Sequence, residues 1–321
     1  MSPKRCMWLN DTSDLVAELK KRGAQKVALQ FPEGLKRRAA EYATALKTAG
    51  FDVIVSGDPC YGACDLARDT LAFADVLVHF GHAPVDCRQN VIFEPYYVGF
   101  DVTVLKHALP LLKGKMVCLV TTVQHVNLVP EMVTFLQSHG IDARVDTGST
   151  RTPFRGQVLG CSFTAAKVPD ADEILFVGTG IFHAIGITIA TRKRVIALDP
   201  LTGIAQDVNG DALLRRRFAV IEKARKAQTV GIILSTKSGQ QRMALAQRLS
   251  SLSPNATIIT MREVSPDELL NLGFACYVNT ACPRLAYDDQ VRFPVPVLSP
   301  QEFEIVCGVR TWDDYTIDEI P

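Results

Sequence analysis

The chain alternates short apolar segments with amphipathic ones along most of its length. Segments such as "KVALQF" (26–31) and "VLVHFG" (76–81) are rich in apolar residues and lack strict apolar–polar alternation. Such runs are typical of parallel strands that are buried on both faces. The segment after the first strand repeats apolar residues at helical spacing and ends at a glycine suited to a helix C-terminus, with Leu35, Ala39, Tyr42, Leu46 and Gly50. The pattern therefore predicts strand–loop–helix units of an α/β protein.

The strand pattern restarts at "MVCLVTT" (116–122) and again at "TVGIILS" (229–235). Each of the three groups contains about four strands, joined by segments that read as helices or loops. We expect three similar α/β domains, each a small parallel four-stranded sheet flanked by helices, arranged around a common centre. The predicted domains are 1–108, 109–215 and 216–321. A polar helical stretch, 209–228, is predicted to connect the second group of strands to the third.

Composition narrows the class of protein. The 321 residues are 47% hydrophobic and 21% charged, as in ordinary globular proteins. A net charge of +1 gives no basic field of the kind that favours nucleic acid, so no nucleic-acid partner is expected. No apolar run has the length of a membrane span, and the first residues lack the apolar core of a signal peptide. We therefore expect a cytoplasmic protein that does not bind membranes.

Nine cysteines are present, and in the cytosol they should be reduced thiols rather than disulfides. Cys118 and Cys276 lie inside apolar strand segments, and Cys307 lies on the apolar side of the last helix. Buried cysteine behaves as a small hydrophobe, so these three are predicted to be core residues. Cys6, near the start, and Cys87, in a loop, have no predicted role.

Three cysteines differ because each follows a strand, and each falls in a different unit. Cys60 lies in "GDPCYGACD", Cys161 in "VLGCSF" and Cys282 in "NTACPR". Functional sites of parallel α/β units lie at the carboxyl ends of strands, so three such loops could face one centre. Spacing alone leaves open that they are unrelated small residues. Cys64 forms a C-x3-C pair with Cys60, but it is more simply the first-turn residue of a helix over "CDLARDTLAFAD".

Together these segments resemble a known family. "CYGACD", "LGCSF" and "NTACPRLAYDD" are similar to the three cysteine motifs of the diphthamide-synthesis enzymes, the 2-(3-amino-3-carboxypropyl)histidine synthases of archaea and eukaryotes. The segments "VHFGHAP", "GTGIFHAIGITIAT" and "STKSGQQR" resemble family segments as well. The resemblance covers most of the chain, and its specificity comes from the joint occurrence of three motifs in order.

The resemblance implies three α/β domains that each give one cysteine to a 4Fe–4S cluster. Mapped by motif, the ligands would be Cys60, Cys161 and Cys282, and Cys64 is not expected to be one. Cysteine thiolates hold such clusters, and three ligands leave one iron open. The open iron would meet S-adenosylmethionine, whose bond between sulfur and the γ-carbon is cleaved. This cleavage gives methylthioadenosine and a 3-amino-3-carboxypropyl radical.

In the family, that radical adds to C2 of a histidine in translation elongation factor 2, the first step of diphthamide biosynthesis. The resemblance therefore implies a transferase whose protein substrate is elongation factor 2. It also implies a homodimer, as in the compact archaeal form, and an external electron donor.

Two glycine-containing turns are candidate binding sites for S-adenosylmethionine. Each lies between a strand and a helix start, where free backbone N–H groups suit a carboxylate or ribose. The alternative is a tight turn that only packs helix on strand. The candidate residues are Gly178, Thr179, Gly180, Ser238, Gly239 and Gln240.

Charged and imidazole side chains near these motifs also have alternative interpretations. Arg284 could pair with the methionine carboxylate, because arginine forks suit carboxylates; the alternative is an ion pair with Asp288 or Asp289. Lys237 is expected to be a solvated charge. His82 and His183 could line the site or be structural, and no side chain is assigned as a catalytic acid or base.

Two other functions remain open at this point. Quinolinate synthase also has three α/β units around a three-cysteine 4Fe–4S cluster, but it is a dehydratase. The chain could instead be a non-catalytic, cluster-carrying subunit, although such a partner could do without one of the cysteines, and all three are present.

Overall fold

The computed structural model describes residues 12–85 and 89–320, so Cys6 and Cys87 lie outside the described residues. The described chain forms three separate sheets, one for each predicted group of strands, and all three are mainly parallel. The predicted α/β class with three similar units is confirmed. Within the described ranges, no helix is long and apolar enough to cross a membrane.

The first unit contains a four-stranded parallel sheet in the order β2-β1-β3-β4. Its strands are β1 (Lys26–Gln30), β2 (Asp52–Val55), β3 (Val76–Phe80) and β4 (Val91–Glu94). Its helices are α1 (Thr12–Lys21) and α2 (Ala39–Thr48), the second preceded by a 3-10 turn, Glu33–Arg38. Every residue of β3 and β4 is buried, which explains why these strands show no alternation.

The second unit contains five strands in the order β6-β5-β7-β8-β9. They are β5 (Met116–Thr121), β6 (Asp142–Arg144), β7 (Glu173–Val177), β8 (Val195–Leu198) and β9 (Ala205–Val208). Its helices are α3 (Val129–Ser138) and α4 (Phe182–Thr191).

The prediction of four parallel strands in the second unit was wrong by one strand. β9 pairs antiparallel with β8 at the edge of the sheet. The Asp199 carboxylate accepts hydrogen bonds from the N–H groups of Leu201 (2.9 Å) and Thr202 (3.3 Å), and Gly203 has φ +73°. These local bonds turn the chain back after β8, as expected of an Asp–Gly turn segment.

The third unit again has four parallel strands, in the order β11-β10-β12-β13. They are β10 (Val230–Ser235), β11 (Ala256–Met261), β12 (Cys276–Asn279) and β13 (Val297–Leu298). The helices are α5 (Asp211–Ala224), α6 (Met243–Ser250), α7 (Pro266–Leu272), α8 (Arg284–Tyr287) and α9 (Pro300–Val306).

The core positions of two cysteines are confirmed, since Cys118 and Cys276 are buried in the apolar cores of the second and third units. The domain boundaries stay predictions. Leu105, placed in the first domain, packs in the core of the second sheet. The boundary after residue 215 falls inside α5, which packs against the third unit.

The helix predicted over residues 64–75 is absent; the chain there makes a turn and a short 3-10 segment, Arg68–Ala72. The buried Gln30 explains the difference. Its amide donates to the carbonyl of Asp65 (2.7 Å) and accepts from the N–H of Ala67 (3.0 Å). A side chain from β1 therefore takes the backbone groups that a helix would have used.

The stretch 209–228 is a packed helix rather than a polar connector. Its Arg217 is fully buried, and Nε donates to Oε1 of the equally buried Glu302 at 2.8 Å. The guanidinium also donates to the carbonyl of Val297 at 2.8 Å. Glu302 in turn closes the capping box of α9 with Ser299. A buried ion pair thus joins α5 to α9.

Replacing Arg217 by Met should destabilise the protein by about 3–5 kcal/mol, because Glu302 would keep a buried charge without its partner. Urea unfolding followed by circular dichroism measures the change. Arg225→Met is the matched control, since it removes an exposed pair with Glu222 and should cost about 0.5 kcal/mol or less. Equal costs for the two variants would contradict the structural role given to the pair.

Candidate functional site

One cysteine thiol from each unit meets at a common site: Cys64, Cys161 and Cys282. Burial raises the pKa of Cys282 to about 12, and the neighbouring Cys64 and Cys161 thiols raise it further. Burial likewise raises the pKa of Cys161 to about 11, with a contribution from Cys64. The loops themselves touch: a Cβ added at Gly160, the residue before Cys161, would lie 3.3 Å from Arg284, two residues after Cys282.

Cys64 is held by a turn of the third unit. The amide of Gln240 donates to Cys64 Sγ at 3.1 Å, and the N–H of Gly239 donates to the Cys64 carbonyl at 3.4 Å. A Cβ added at Gly239 would come within 2.5 Å of the Cys64 Cβ. The turn must therefore carry glycine at this position, because only glycine lets the two backbones approach so closely.

Cys161 lies in the long connection between β6 and β7, and Cys282 lies in the short loop after β12. The turn around Cys161 is closed by backbone bonds between Leu159 and Ser162, and the Cys161 carbonyl accepts from the N–H of Ile320 at 2.8 Å. The amide of Asn279, at the end of β12, donates to the Cys282 carbonyl at 2.7 Å. Local bonds thus set where both loops turn toward the site.

Arg151 is a site residue that the sequence did not reveal. It is buried, and its Nη2 donates to the Gly239 carbonyl at 3.1 Å. Its positive charge opposes the burial that raises the pKa of both Cys64 and Cys161. Its Nε has no hydrogen-bond partner among the described residues. An arginine in a polar loop gives no sequence signal, because such residues usually face solvent.

This arrangement fits a thiophilic metal group that carries negative charge. Three half-buried cysteines offer sulfur ligands, and the buried Arg151 beside them has an N–H donor without a partner among the described residues. Because burial keeps the thiols protonated, a metal group would bind by displacing their protons. Cysteine thiolates from separate elements are the ligand type of iron–sulfur clusters.

The contacts that place Cys64 at this site do not involve Cys60, the cysteine predicted as a ligand. Cys60 Sγ, His79 and His82 have ligand atoms that all lie within 4.8 Å of one another. Burial raises the pKa of Cys60 to about 12, and Asp65 and Cys64 raise it further. The geometry therefore favours Cys64 over Cys60 as the partner of the other two thiols.

The first glycine turn lies beside the thiols. Gly178 directly follows β7 and is buried, whereas Thr179 and Gly180 are exposed just before α4. The first helical residue, Phe182, lies against Gly160, the residue before Cys161: a Cβ there would meet the Phe182 ring at 2.7 Å. The N-terminus of α4 thus borders the site.

Two of the three candidate residues in the second glycine turn contact Cys64. Gly239 and Gln240 contact Cys64 directly, and Ser238 is a half-buried residue of the same turn. Lys237, expected to be solvated, is instead nearly buried and bridges Asp65 (2.9 Å) and Glu263 (2.7 Å). That expectation was wrong because Asp65, next to Cys64, would otherwise be a buried charge without a partner.

Arg284 and His183 lie on the side of Phe182. The Arg284 guanidinium stacks over the Phe182 ring at 4.5 Å and pairs with Asp288 at 2.8 Å, and about half of its side chain is exposed. His183 stacks on Phe176, and burial lowers its pKa to about 4, helped by Arg284. The alternative predicted for Arg284, an ion pair with Asp288, is present, and the guanidinium still borders the site.

Comparisons with known proteins agree with this picture. The family model described as "Putative diphthamide synthesis protein" matches residues 31–317. The 2-(3-amino-3-carboxypropyl)histidine synthase of Pyrococcus horikoshii is 39% identical, over 96% of this chain and 92% of its own length. Subunit 1 of the Nematostella vectensis enzyme is 31% identical over 92% of this chain and 66% of its own length.

A solved structure is similar throughout. The crystal structure of Dph2 from Pyrococcus horikoshii with a 4Fe–4S cluster superposes with a TM-score of 0.91 at 38% identity. The alignment covers 96% of this chain and 93% of that one.

Replacing Gly239 by Ala should push the Cys64 turn away from Gln240. We expect a loss of about 1–3 kcal/mol in the free energy of unfolding, because the added methyl overlaps backbone that has no room to move. Gly99→Ala is the control: a Cβ there meets nothing within 4 Å, and the change should stay within about 0.5 kcal/mol. A tolerated Gly239→Ala would contradict the close approach.

Proposed function

The chain belongs to the diphthamide synthesis family, and we propose that it is a 2-(3-amino-3-carboxypropyl)histidine synthase. It transfers the 3-amino-3-carboxypropyl group of S-adenosylmethionine to C2 of a histidine in translation elongation factor 2. The observation that carries this proposal is the convergence of one cysteine loop from each unit beside the buried Arg151: the amide of Gln240 bonds Cys64 Sγ, Arg151 bonds the Gly239 carbonyl, and a Cβ at Gly160 would lie 3.3 Å from Arg284. The fold around them matches a relative crystallised with a 4Fe–4S cluster.

Cys64, Cys161 and Cys282 are the residues that hold the cluster in this proposal, so Cys64 replaces the expected Cys60. The contact of Gln240 with Cys64 Sγ and the close approach of Gly160 to Arg284, which join the three cysteine loops, support the set. Arg151 balances the negative charge of thiolates and cluster, and its unpaired Nε can donate to sulfur. Hydrogen bonds of this kind stabilise the anionic form of a buried group.

When bound, the cluster supplies the open iron that binds S-adenosylmethionine and the electron that cleaves its bond from sulfur to the γ-carbon. The chain's own residues bind and orient the substrate. The N–H groups of Thr179 and Gly180, before the N-terminus of α4, suit the methionine carboxylate, whereas the Gly178 N–H already bonds the Leu198 carbonyl at 3.0 Å. Arg284 lies across Phe182 from this turn and can pair with the same carboxylate if it leaves Asp288.

The proposal also covers the partners of the chain and the compartment in which it acts. A homodimer with an external electron donor and elongation factor 2 as protein substrate follows from the resemblance. The cytoplasm is the compartment in which reduced thiols and this substrate occur together.

The alternative functions have less support. The reported sequence relatives carry the histidine-synthase name, not that of a quinolinate synthase. A non-catalytic subunit would not need a complete thiol set, and this chain spans 92% of the archaeal enzyme.

Activity is tested anaerobically with dithionite, S-adenosylmethionine and an archaeal elongation factor 2. We expect methylthioadenosine in solution and a factor whose target histidine gains one 3-amino-3-carboxypropyl group, detected by mass spectrometry. The factor with that histidine replaced by Ala should gain nothing. Absence of both products from a cluster-loaded chain would refute the proposed activity, and formation of quinolinate would establish the dehydratase instead.

Cysteine variants test the ligand set separately from activity. Ser in place of Cys64, Cys161 or Cys282 should each remove most of the bound iron and sulfide, because two thiolates and an alcohol hold a cluster poorly. Cys60→Ser and Cys307→Ser should keep the full content, measured by chemical analysis of anaerobic preparations. Loss of iron from Cys60→Ser with retention in Cys64→Ser would restore the original assignment of Cys60.

A further inference from the structure

Cys60 has its own set of potential metal ligands, apart from the three thiols assigned to the cluster. Cys60 and His79 are buried, and His82 is half-buried. Their Sγ and ring nitrogen atoms lie within 4.8 Å of one another. Among the described residues, this is the one group of three or more such side chains that meets this distance.

A buried glutamine fixes which nitrogen of His79 faces this group. Gln30 donates its amide N–H to the Asp65 carbonyl, so its Oε1 is the atom that accepts from Ala67 N–H and lies 2.8 Å from His79 Nδ1. An oxygen cannot donate, so His79 Nδ1 carries the proton. In the neutral ring, Nε2 of His79 then has a free lone pair.

That lone pair points at His82. His79 Nε2 lies 2.9 Å from His82 Nδ1, and without a metal this contact is a hydrogen bond from His82 to His79. An imidazole binds a metal through a nitrogen that carries no proton, which is the state that the contact with Gln30 gives to His79 Nε2. Gln30 Oε1 accepts a hydrogen bond from His79 Nδ1, the nitrogen that would not bind the metal. Metal-bound histidines usually have such a hydrogen-bond partner.

We propose that Cys60, His79 and His82 form a zinc site, with Cys60 Sγ, His79 Nε2 and His82 Nδ1 as ligands. One sulfur and two imidazoles are a donor set that zinc uses when a fourth position is left to water or substrate. Around tetrahedral zinc, such ligand atoms lie about 3.3–3.8 Å apart, given bonds of about 2.0–2.3 Å. The present spacing needs only small side-chain movements to reach that geometry.

The proton balance of binding is simple. The Cys60 thiol releases one proton to solvent and becomes a thiolate. His82 moves its proton from Nδ1 to Nε2 and stays neutral, and His79 keeps its proton on Nδ1. No oxidation or reduction is involved, because zinc is not redox-active.

The site would connect the loop after β2 to the end of β3. Cys60 lies on that loop, four residues before Cys64. His79 lies in β3, and His82 lies in the turn after it. A metal here would fix the start of the segment that carries Cys64. It requires no transferase activity, so its test is independent of the proposed function.

The test uses the cluster-loaded chain, so that the other thiols are occupied, incubated anaerobically with zinc chloride and passed over a chelating resin. Metal analysis should find one zinc per chain in addition to the iron. Cys60→Ser and His82→Asn should each lose this zinc and keep the iron. Gln30→Ala should weaken zinc binding about 10–100-fold. Cys307→Ser and His139→Asn, which change a thiol and an imidazole elsewhere, should keep it.

Cobalt(II) in place of zinc gives a second readout. We expect a sulfur-to-cobalt absorption band of one thiolate, abolished in Cys60→Ser and retained in Cys118→Ala. The proposal is overturned if the loaded chain binds no zinc, or if Cys60→Ser and His82→Asn retain it. It is also overturned if Cys60→Ser loses iron instead, or if the cobalt band has the intensity of three thiolates.

Discussion

Contacts that cross between the three units are the constraint on which the site depends. Some are apolar: Ala286 and Tyr287, just after Cys282, pack in the core of the second unit, and Leu159, just before Cys161, packs against that of the first. Others are polar. Arg151 of the second unit bonds the Gly239 carbonyl of the third, and Lys237 of the third pairs with Asp65 of the first. Because these groups are poorly exposed, breaking a contact would leave a polar group or charge unpaired, which holds the loops in register.

The same burial sets the chemistry of the thiols. With raised pKa values, the cysteines are protonated at neutral pH and become good ligands only when a metal group displaces their protons. The nearby arginine lowers the cost of the resulting negative charge. Metal binding is therefore linked to the loss of the thiol protons and to the arginine charge. The site is arranged to hold a bound metal group.

Much of the site could be anticipated from strand ends and motifs. Cys282 directly follows β12 and Cys161 lies in the connection that leaves β6, and loops at the carboxyl edge of parallel sheets can meet those of neighbouring units. The C-x3-C pair was harder, because both of its cysteines follow β2 within one short loop. Gln30 draws the backbone of Asp65 and Ala67 to β1, and Gln240 and Gly239 contact Cys64 from another unit. Contacts between residues so far apart in sequence cannot be recognised from the spacing of the two cysteines.

The sequence by itself determined the α/β class, the three repeated units, the core cysteines and the family, because these depend on local periodicity and on motifs in order. Only the tertiary structure decided which thiol of the pair faces the other two, that Arg151 and Lys237 are buried, and that Cys60 meets two imidazoles. These outcomes depend on contacts between residues far apart in the chain. Such contacts follow from the relative positions of whole sheets, which no local pattern encodes.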